Sequence, residues 1–526
     1  ANAFMEAIKV CVKKPFFRSK KALQQVTEKL KDVIIKVLAS VDNVYNIDAS
    51  EIGSSTTLPN PDEKHIESAK KFVDTQWKES ASSDISPSSS SNNAASSSSS
   101  SSDGPPPKPA KPSERQPNIW DELTSNNTTN VVMADDGQRI KHASLNKLVE
   151  NLTSPTQTDL TFMKTFITTY RSFTTPGILL TKLMERFHMP SNIHDEKVEK
   201  VIQVRVCNVA KNWVELQFDD FDEALIEKLK RFISVLSTYP TYRKFSQSIT
   251  LIMENKQAML RKSKQDIIEL RLEPKIPLSP SRILFVFDEA EIARQLTLVD
   301  FQHYKAIRAV EFLNQAWSKE SLRHRARNVL KLINRSTELS MWVASCILWQ
   351  QTLKDRLRVL SKLFKIVEYL VEYKNFHALS AVMAGIDNAA VYRLKHTRNA
   401  ISDDLKQLQD KVHELMSPNG SYANYRAALH NVDPPCVPFI GVYLTDLTFI
   451  EDGNPDTKNG LINFQKREHV YRVLAEIQQY QQIKYEWQYV DHIAHFFAQL
   501  PINTDSQMYD LSLELEPRGS TAEEVL

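Results

Sequence analysis

Val432-Asp433-Pro434-Pro435-Cys436-Val437-Pro438-Phe439, running on to Glu451-Asp452-Gly453-Asn454-Pro455-Asp456, is the stretch on which the reading of the chain turns. Three prolines in eight positions exclude a regular helix or a central strand and favour a rigid extended lead-in. Past them, Gly441, Tyr443, Leu444, Leu447, Phe449 and Ile450 predict a short apolar helix that carries Glu451 and Asp452 at its C-terminal end. A helix C-terminus has partial negative charge, so acids there cost a few tenths to about 1 kcal/mol unless something compensates. Gly453-Asn454-Pro455-Asp456 breaks the helix. Beyond Gly460 a second apolar stripe (Ile462, Phe464, Val470, Val473, Leu474, Ile477) predicts the returning helix. The two together form a helical hairpin with an acidic tip. On these residues alone the tip is either a solvated structural turn or a functional projection.

Outward from the hairpin, helix follows helix from about residue 131. Leu145, Leu148, Val149 and Leu152 make one stripe, closed by Ser154-Pro155. Phe162, Phe166, Ile167 and Tyr170 make another, expected to be closed by Thr175-Pro176-Gly177. The strongest stripe is Leu360, Leu363, Phe364, Val367, Leu370 and Val371, which predicts a core helix. Strand-like alternation is nearly absent. Prolines at 274, 277 and 280 separate two apolar-periodic regions, read as domains over residues 131–270 and 281–519.

Before them, 15 of the 23 residues from Ser80 to Ser102 are serine, and five of the eight from Pro105 to Pro112 are proline. A segment so poor in apolar side chains cannot offset its ordering entropy, so residues 80–130 are expected to be a disordered tether. Residues 1–79 carry helical stripes of their own, at residues 26–38 and 66–73. Residues 1–36 hold nine basic side chains and three acids, a local charge of 9 − 3 = +6. Beside Phe16 and Phe17, that patch is either an ordinary solvated helix face or a contact for an anionic membrane surface. The fold class expected is therefore all-α: two helical domains with a protruding hairpin, plus a small N-terminal helical segment on a Ser/Pro-rich linker.

Composition narrows the function. With 66 Lys+Arg against 64 Asp+Glu, a net charge of +2 argues against a nucleic-acid footprint. No run of some 20 apolar residues and no N-terminal hydrophobic signal core is present, so a cytoplasmic location is expected. Cys11, Cys207, Cys346 and Cys436 are scattered, without ligand spacing, and read as buried free thiols. Ten glycines in 526 residues, with neither G-x-x-x-x-G-K-[ST] nor G-x-G-x-x-G, argue against a glycine-rich phosphate loop. No nucleophile-and-base motif is present either. No cofactor or metal is expected, nor an enzyme of covalent chemistry.

Ten blocks carry a resemblance, the last eight of them in one family's order. Arg139-Ile140-Lys141-His142-Ala143-Ser144-Leu145-Asn146-Lys147-Leu148-Val149, with Phe166-Ile167-Thr168-Thr169-Tyr170-Arg171-Ser172-Phe173, resembles the Ras exchanger motif domain. Ile292 to Leu298, Asn375-Phe376, Ala389 to Leu394, Pro434 to Phe439, Leu444 to Leu447, Glu451 to Pro455, Leu461 to Phe464 and Ser512 to Arg518 resemble the catalytic domain of Ras-family guanine-nucleotide exchange factors of the Son-of-sevenless type. The match covers residues 139–519.

The resemblance implies a partner, a Ras-subfamily small GTPase of Ras or Rap type, and a mechanism. The hairpin pries open the GTPase's first switch region, and its tip sets an apolar residue where magnesium sat and an acid against the phosphate loop. Those positions fall on Thr448 and Asp452, with Phe449 and Asn454 beside them. The surface that grips the second switch falls on Arg294, Thr297, Met383, Asp387, Tyr392, Arg393, Tyr422 and Phe439. Three positions depart from Son of sevenless: Thr448 replaces a leucine, Asp452 a glutamate and Asp387 an asparagine. The alternative reading is a non-catalytic GTPase-binding scaffold of the same fold. Recruitment to the inner face of the plasma membrane is a further expectation.

Overall fold

The computed structural model of the chain describes residues 117–124, 130–269, 282–521 and 524. The basic segment, the stripes before residue 80, the serine-rich stretch, Cys11 and the prolines at 274, 277 and 280 lie outside the described residues.

Two hydrophobic cores organise what is described. The first gathers α1 (Ile119–Thr124), the strands β1 (Val131–Met133) and β2 (Ile140–Ala143), and six helices: α2 (Leu145–Leu152), α3 (Leu160–Thr169), α4 (Pro176–Phe187), α5 (Glu196–Leu216), α6 (Glu223–Thr238) and α7 (Arg243–Glu269). Local chemistry sets the helix starts. Ser144, Asp159, Thr175, Asp195 and Asp222 each accept first-turn N–H groups that have no partner within the helix. The stripe at Leu148, Val149 and Leu152 is buried, and α2 ends before Ser154-Pro155 as expected.

Two expectations fail in this half. Thr175-Pro176-Gly177 opens α4 instead of closing α3, because a proline in the first turn lacks only an N–H that would go unused there. The expected tether of residues 80–130 contains α1, whose Ile119 and Trp120 are buried in the first core. The Trp120 indole donates to the Glu185 carbonyl at 2.7 Å, and the Arg186 guanidinium lies 4.4 Å from its ring centroid.

The second core is helical: α8 (Ile283–Val286), α9 (Glu289–Lys305), α10 (Arg327–Leu348), α11 (Leu353–Glu372), α12 (Phe376–Ile386), α13 (Ala389–Tyr392), α14 (Lys395–Asn399), α15 (Asp403–Leu415) and α16 (Asn419–His430). Then come α17 (Ile440–Gly453), the strands β3 (Thr457–Lys458) and β4 (Leu461–Asn463), α18 (Phe464–Gln479), α19 (Asp491–Ala498) and α20 (Asp505–Leu515). α10 packs on α12 and α9 on α11. Of the strongest stripe, Leu360, Leu363, Phe364, Val367 and Leu370 are buried and Val371 is exposed. Cys207, Cys346 and Cys436 are buried free thiols, and burial pushes Cys207 and Cys436 up to about 12. No described helix is long and apolar enough to cross a membrane.

Strand-like alternation is nearly absent from the sequence, yet a four-stranded antiparallel sheet in the order β1-β2-β4-β3 is present. Two strands belong to the first half and two to the connection between α17 and α18. His142 pairs with Asn463 and Ala143 with Ile462. Between β3 and β4, Asn459 (φ 52°) and Gly460 (φ 79°) form a two-residue turn with both φ positive, the pattern that Asn-Gly favours in tight hairpins. The break expected between two helices is thus a β-hairpin.

Candidate functional site

The proline-rich lead-in runs extended. Val437 donates to the Lys374 carbonyl at 3.0 Å and bridges to Asn375, and the Pro434–Pro435 peptide is cis. Phe439 caps α17, and its N–H donates to the Tyr425 hydroxyl at 2.8 Å. A Cβ on Gly441 would meet the Phe439 ring at 2.5 Å, so only glycine lets that ring fold back over the first turn. Tyr422 meets Phe439 edge-on at 6.1 Å between centroids.

α17 and α18 then pair. The Tyr443 hydroxyl donates to Glu476 at 3.0 Å, and Arg426 of α16 bonds Asp446 at 2.8 Å. At the base of the hairpin sits Lys466, 2% exposed. Its ammonium lies 2.6 Å from the Glu451 carboxylate, 2.9 Å from Asp456 and 3.3 Å from the Glu451 carbonyl, so all three of its donors are used. Buried Arg467 adds a second bond to Asp456 at 2.8 Å. Burial alone would raise the Asp456 carboxyl, but Arg467 and Lys466 outweigh it and hold the carboxyl below its ordinary value. This corrects the expectation of uncompensated acids at the end of α17: Glu451 is neutralised inside the chain, and the compensating cation comes from the returning helix.

The hairpin is also fastened to the first core. Phe464 is wholly buried and belongs to that core, its ring 4.5 Å from that of Phe162. Arg139 approaches Glu468 at 3.8 Å, and Arg467 lies 5.9 Å from the Phe173 ring centroid.

The outer end of α17 is different. Phe449 is 72% exposed and Asp452 is exposed. The Thr448 hydroxyl is turned inward, donating to the Leu444 carbonyl at 2.8 Å, and Asn454 donates back to the Ile450 carbonyl at 2.9 Å. The apolar side chain offered at the tip is therefore Phe449. Asp452 accepts from Gln315 at 2.9 Å. Gln315 follows Asn314, and both are left-handed (φ 56° and 58°), a conformation costly outside glycine and asparagine that aims Gln315 at the tip. Sequence reasoning missed Gln315, because nothing in its neighbourhood marks the strained turn.

The eight residues of the expected gripping surface separate into groups. Tyr392 is 59% exposed, with the Arg398 guanidinium 3.8 Å from its ring centroid. It lines a cleft of about 260 Å³ with Gln409 and His413, both of which bond Asp387, at 2.9 and 2.7 Å. Tyr422 and Phe439 form the aromatic pair at the start of α17. Arg294 is half-exposed beside Glu291 and Tyr373. Three residues are corrected. Thr297 is buried, its hydroxyl donating to the Ala293 carbonyl, and Met383 is buried in the second core, so neither reaches the surface. Arg393 is committed within the chain, donating to Ser512 and, at 2.9 Å, to the Glu516 carbonyl.

The site is thus a helical body that holds a braced hairpin, with an exposed aromatic and an exposed acid at the end of α17. Comparison with known proteins gives the family. Residues 291–468 match the RasGEF domain and residues 139–232 the RasGEF N-terminal motif. The chain is 38% identical over 446 residues to Ras guanine nucleotide exchange factor A of Dictyostelium discoideum, covering 78% of this chain and 73% of that protein. It is 39% identical over 415 residues to factor R and over 401 residues to factor J of the same organism, covering 76% and 74% of this chain. The chain belongs to the Ras guanine nucleotide exchange factor family. It spans 24% of the length of factor R and 49% of factor J.

Proposed function

We propose that this chain accelerates GDP release from a Ras-subfamily GTPase, of Ras or Rap type, by setting the open end of α17 into the nucleotide site. The observation that carries the reading is the contrast within α17: Phe449 and Asp452 are exposed at its end while Glu451, beside them, is locked to buried Lys466. An exposed aromatic held on a braced lever keeps its position when it meets a partner, so little ordering entropy is lost on binding. A nucleotide held at picomolar affinity is bound by about 16 kcal/mol, so release requires its phosphate and magnesium contacts to be replaced. Phe449, next to Thr448, supplies the apolar wedge. Asp452, released from Gln315, occupies phosphate-loop donors and repels returning phosphate. Tyr392, Asp387, Tyr422, Phe439 and Arg294 grip the second switch, with Asn454 fixing the tip.

On this reading residues 131–270, with α1 in front, serve as the exchanger motif domain and 281–519 as the catalytic domain. The first brings β1, β2 and its core to the base of the hairpin. Coupling is reciprocal: a factor that weakens nucleotide binding is itself weakened by nucleotide to the same degree, so GTP loading ejects it. No covalent step is involved. The basic segment of residues 1–36 brings the chain to the inner face of the plasma membrane.

A second reading, a GTPase-binding scaffold, is favoured by the inward Thr448 hydroxyl and by the engagement of Asp452 with Gln315. One assay decides. The full chain is added to Ras and Rap proteins loaded with a fluorescent GDP analogue. Release faster than the intrinsic rate supports exchange, binding without release supports the scaffold, and no effect on any Ras-subfamily member removes the catalytic reading.

A further inference from the structure

Away from the hairpin, an open cleft of about 640 Å³ lies between α9, the start of α10 and the end of α19. Its size falls within the roughly 300–1,000 Å³ of small-ligand sites. Arg327, Lys331 and Glu338 line it from one face of α10, at i, i+4 and i+11; Arg323 comes from the turn before and His303 from α9. Arg327 and Lys331 are exposed and have no hydrogen-bond or ion-pair partner among the described residues.

Arg335 lines the same cleft with its side chain 6% exposed. Its Nε is held by Asp300 at 2.5 Å and its Nη1 by the Phe497 carbonyl at 2.5 Å, while its Nη2 is buried with no partner. A buried guanidinium donor left unpaired is unusual and calls for an acceptor. The first amides of α10 do not supply the anion site, because Glu311 already accepts from the N–H groups of Asn328 and Val329. Lys331 and Arg335 make themselves felt across the cleft: burial, then these two cations, push the His303 imidazole down to about 4.

We propose that this cleft binds a phosphorylated inositol. Arg327, Lys331 and the free Nη2 of Arg335 take phosphate oxygens, and Glu338 accepts from ring hydroxyls. A concave site with separated cations and one carboxylate suits a compact polyol phosphate better than an extended polyanion, for which a continuous basic stripe would be expected.

The test uses the full chain and inositol trisphosphate, with inorganic phosphate as the control, by calorimetry. In parallel, flotation uses phosphatidylcholine vesicles that contain either phosphatidylinositol bisphosphate or phosphatidylserine at matched surface charge. Saturable binding of the trisphosphate, weakened about tenfold or more in the Arg327→Ala/Lys331→Ala variant, supports the site. Selective flotation on the phosphoinositide vesicles, lost in the same variant, identifies the lipid headgroup as the source; trisphosphate binding without it identifies the free inositol phosphate. Both residues are exposed, so the melting temperature without ligand and GDP release from a GTPase in solution stay unchanged. Absence of saturable binding from either source overturns the proposal, as does binding that the variant leaves intact or that inorganic phosphate reproduces at equal concentration.

Discussion

The base and the tip of the hairpin lie within a few residues of each other and are built on opposite rules. At the base, Lys466 uses every donor on two acids and a carbonyl, Phe464 is sunk in the first core, and β4 is paired on both edges. At the tip, Phe449 is largely exposed and the Asp452 carboxylate accepts from Gln315. The contrast teaches that stiffness and exposure are separated by face within one helical turn: Glu451 turns to buried Lys466, while Phe449 and Asp452, no more than two residues away, stay open to a partner.

The largest effects should come from breaking the base. Lys466→Ala strands Glu451 in a buried site and is expected to cost about 3–5 kcal/mol, read as a drop in the urea midpoint, with exchange lost alongside. A wild-type midpoint would mean that water reaches Glu451. Phe464→Ala removes a ring from the first core for a comparable or slightly smaller loss, about 3–4 kcal/mol. Exchange should fall with stability, since β4 loses its anchor.

Acid sharpens the comparison. His303 and His377 titrate below their ordinary value because burial disfavours the imidazolium. The unfolded chain therefore binds protons first, and stability should decline as pH falls from about 6.5 toward 4, by of order 2–3 kcal/mol for His303. Asp456 is also held below its ordinary value, but as an acid its contribution is lost only below about pH 3.8. Hence the second core should weaken before the base of the hairpin. A His303→Gln variant whose stability falls just as steeply over that window would refute the assignment.

Smaller still, Gly460→Val forces a β-branched residue to φ 79° and should cost about 1–2 kcal/mol, with thermal melting as the readout. At the other end of the scale, Phe449→Ala or Asp452→Ala should change the unfolding free energy from urea titration by no more than about 0.5 kcal/mol while slowing GDP release about tenfold or more. Equal exchange rates would show that the tip side chains are incidental.

Much of this was legible in the sequence, and what escaped has definite causes. Stripes such as Leu360 to Leu370 reveal helices because one face repeats over several turns. Strands of two to four residues leave no such trace, and β2 and β4 find each other across more than three hundred positions. The Asn459-Gly460 pair was the one local sign of them, and it reads equally as a helix break. Thr175-Pro176-Gly177 misled because residue types that can stop one helix can equally start another, as they do here for α4. The acidic end of α17 was visible, but its neutralisation by Lys466 was not, since that depends on how the hairpin closes. Nor does position near a motif disclose depth: Thr297 sits in a matching block and Met383 between two of them, and both are nonetheless inside.

The shared sheet has one further consequence. Because β2 and β4 come from opposite sides of the segment between Glu269 and Ile283, cutting the chain there would leave two polypeptides zipped along a common ladder with Phe464 still plugged into its neighbour. Co-expressed as separate fragments, the two should find each other and rebuild the factor, which would make that junction a natural place to split it into complementing halves.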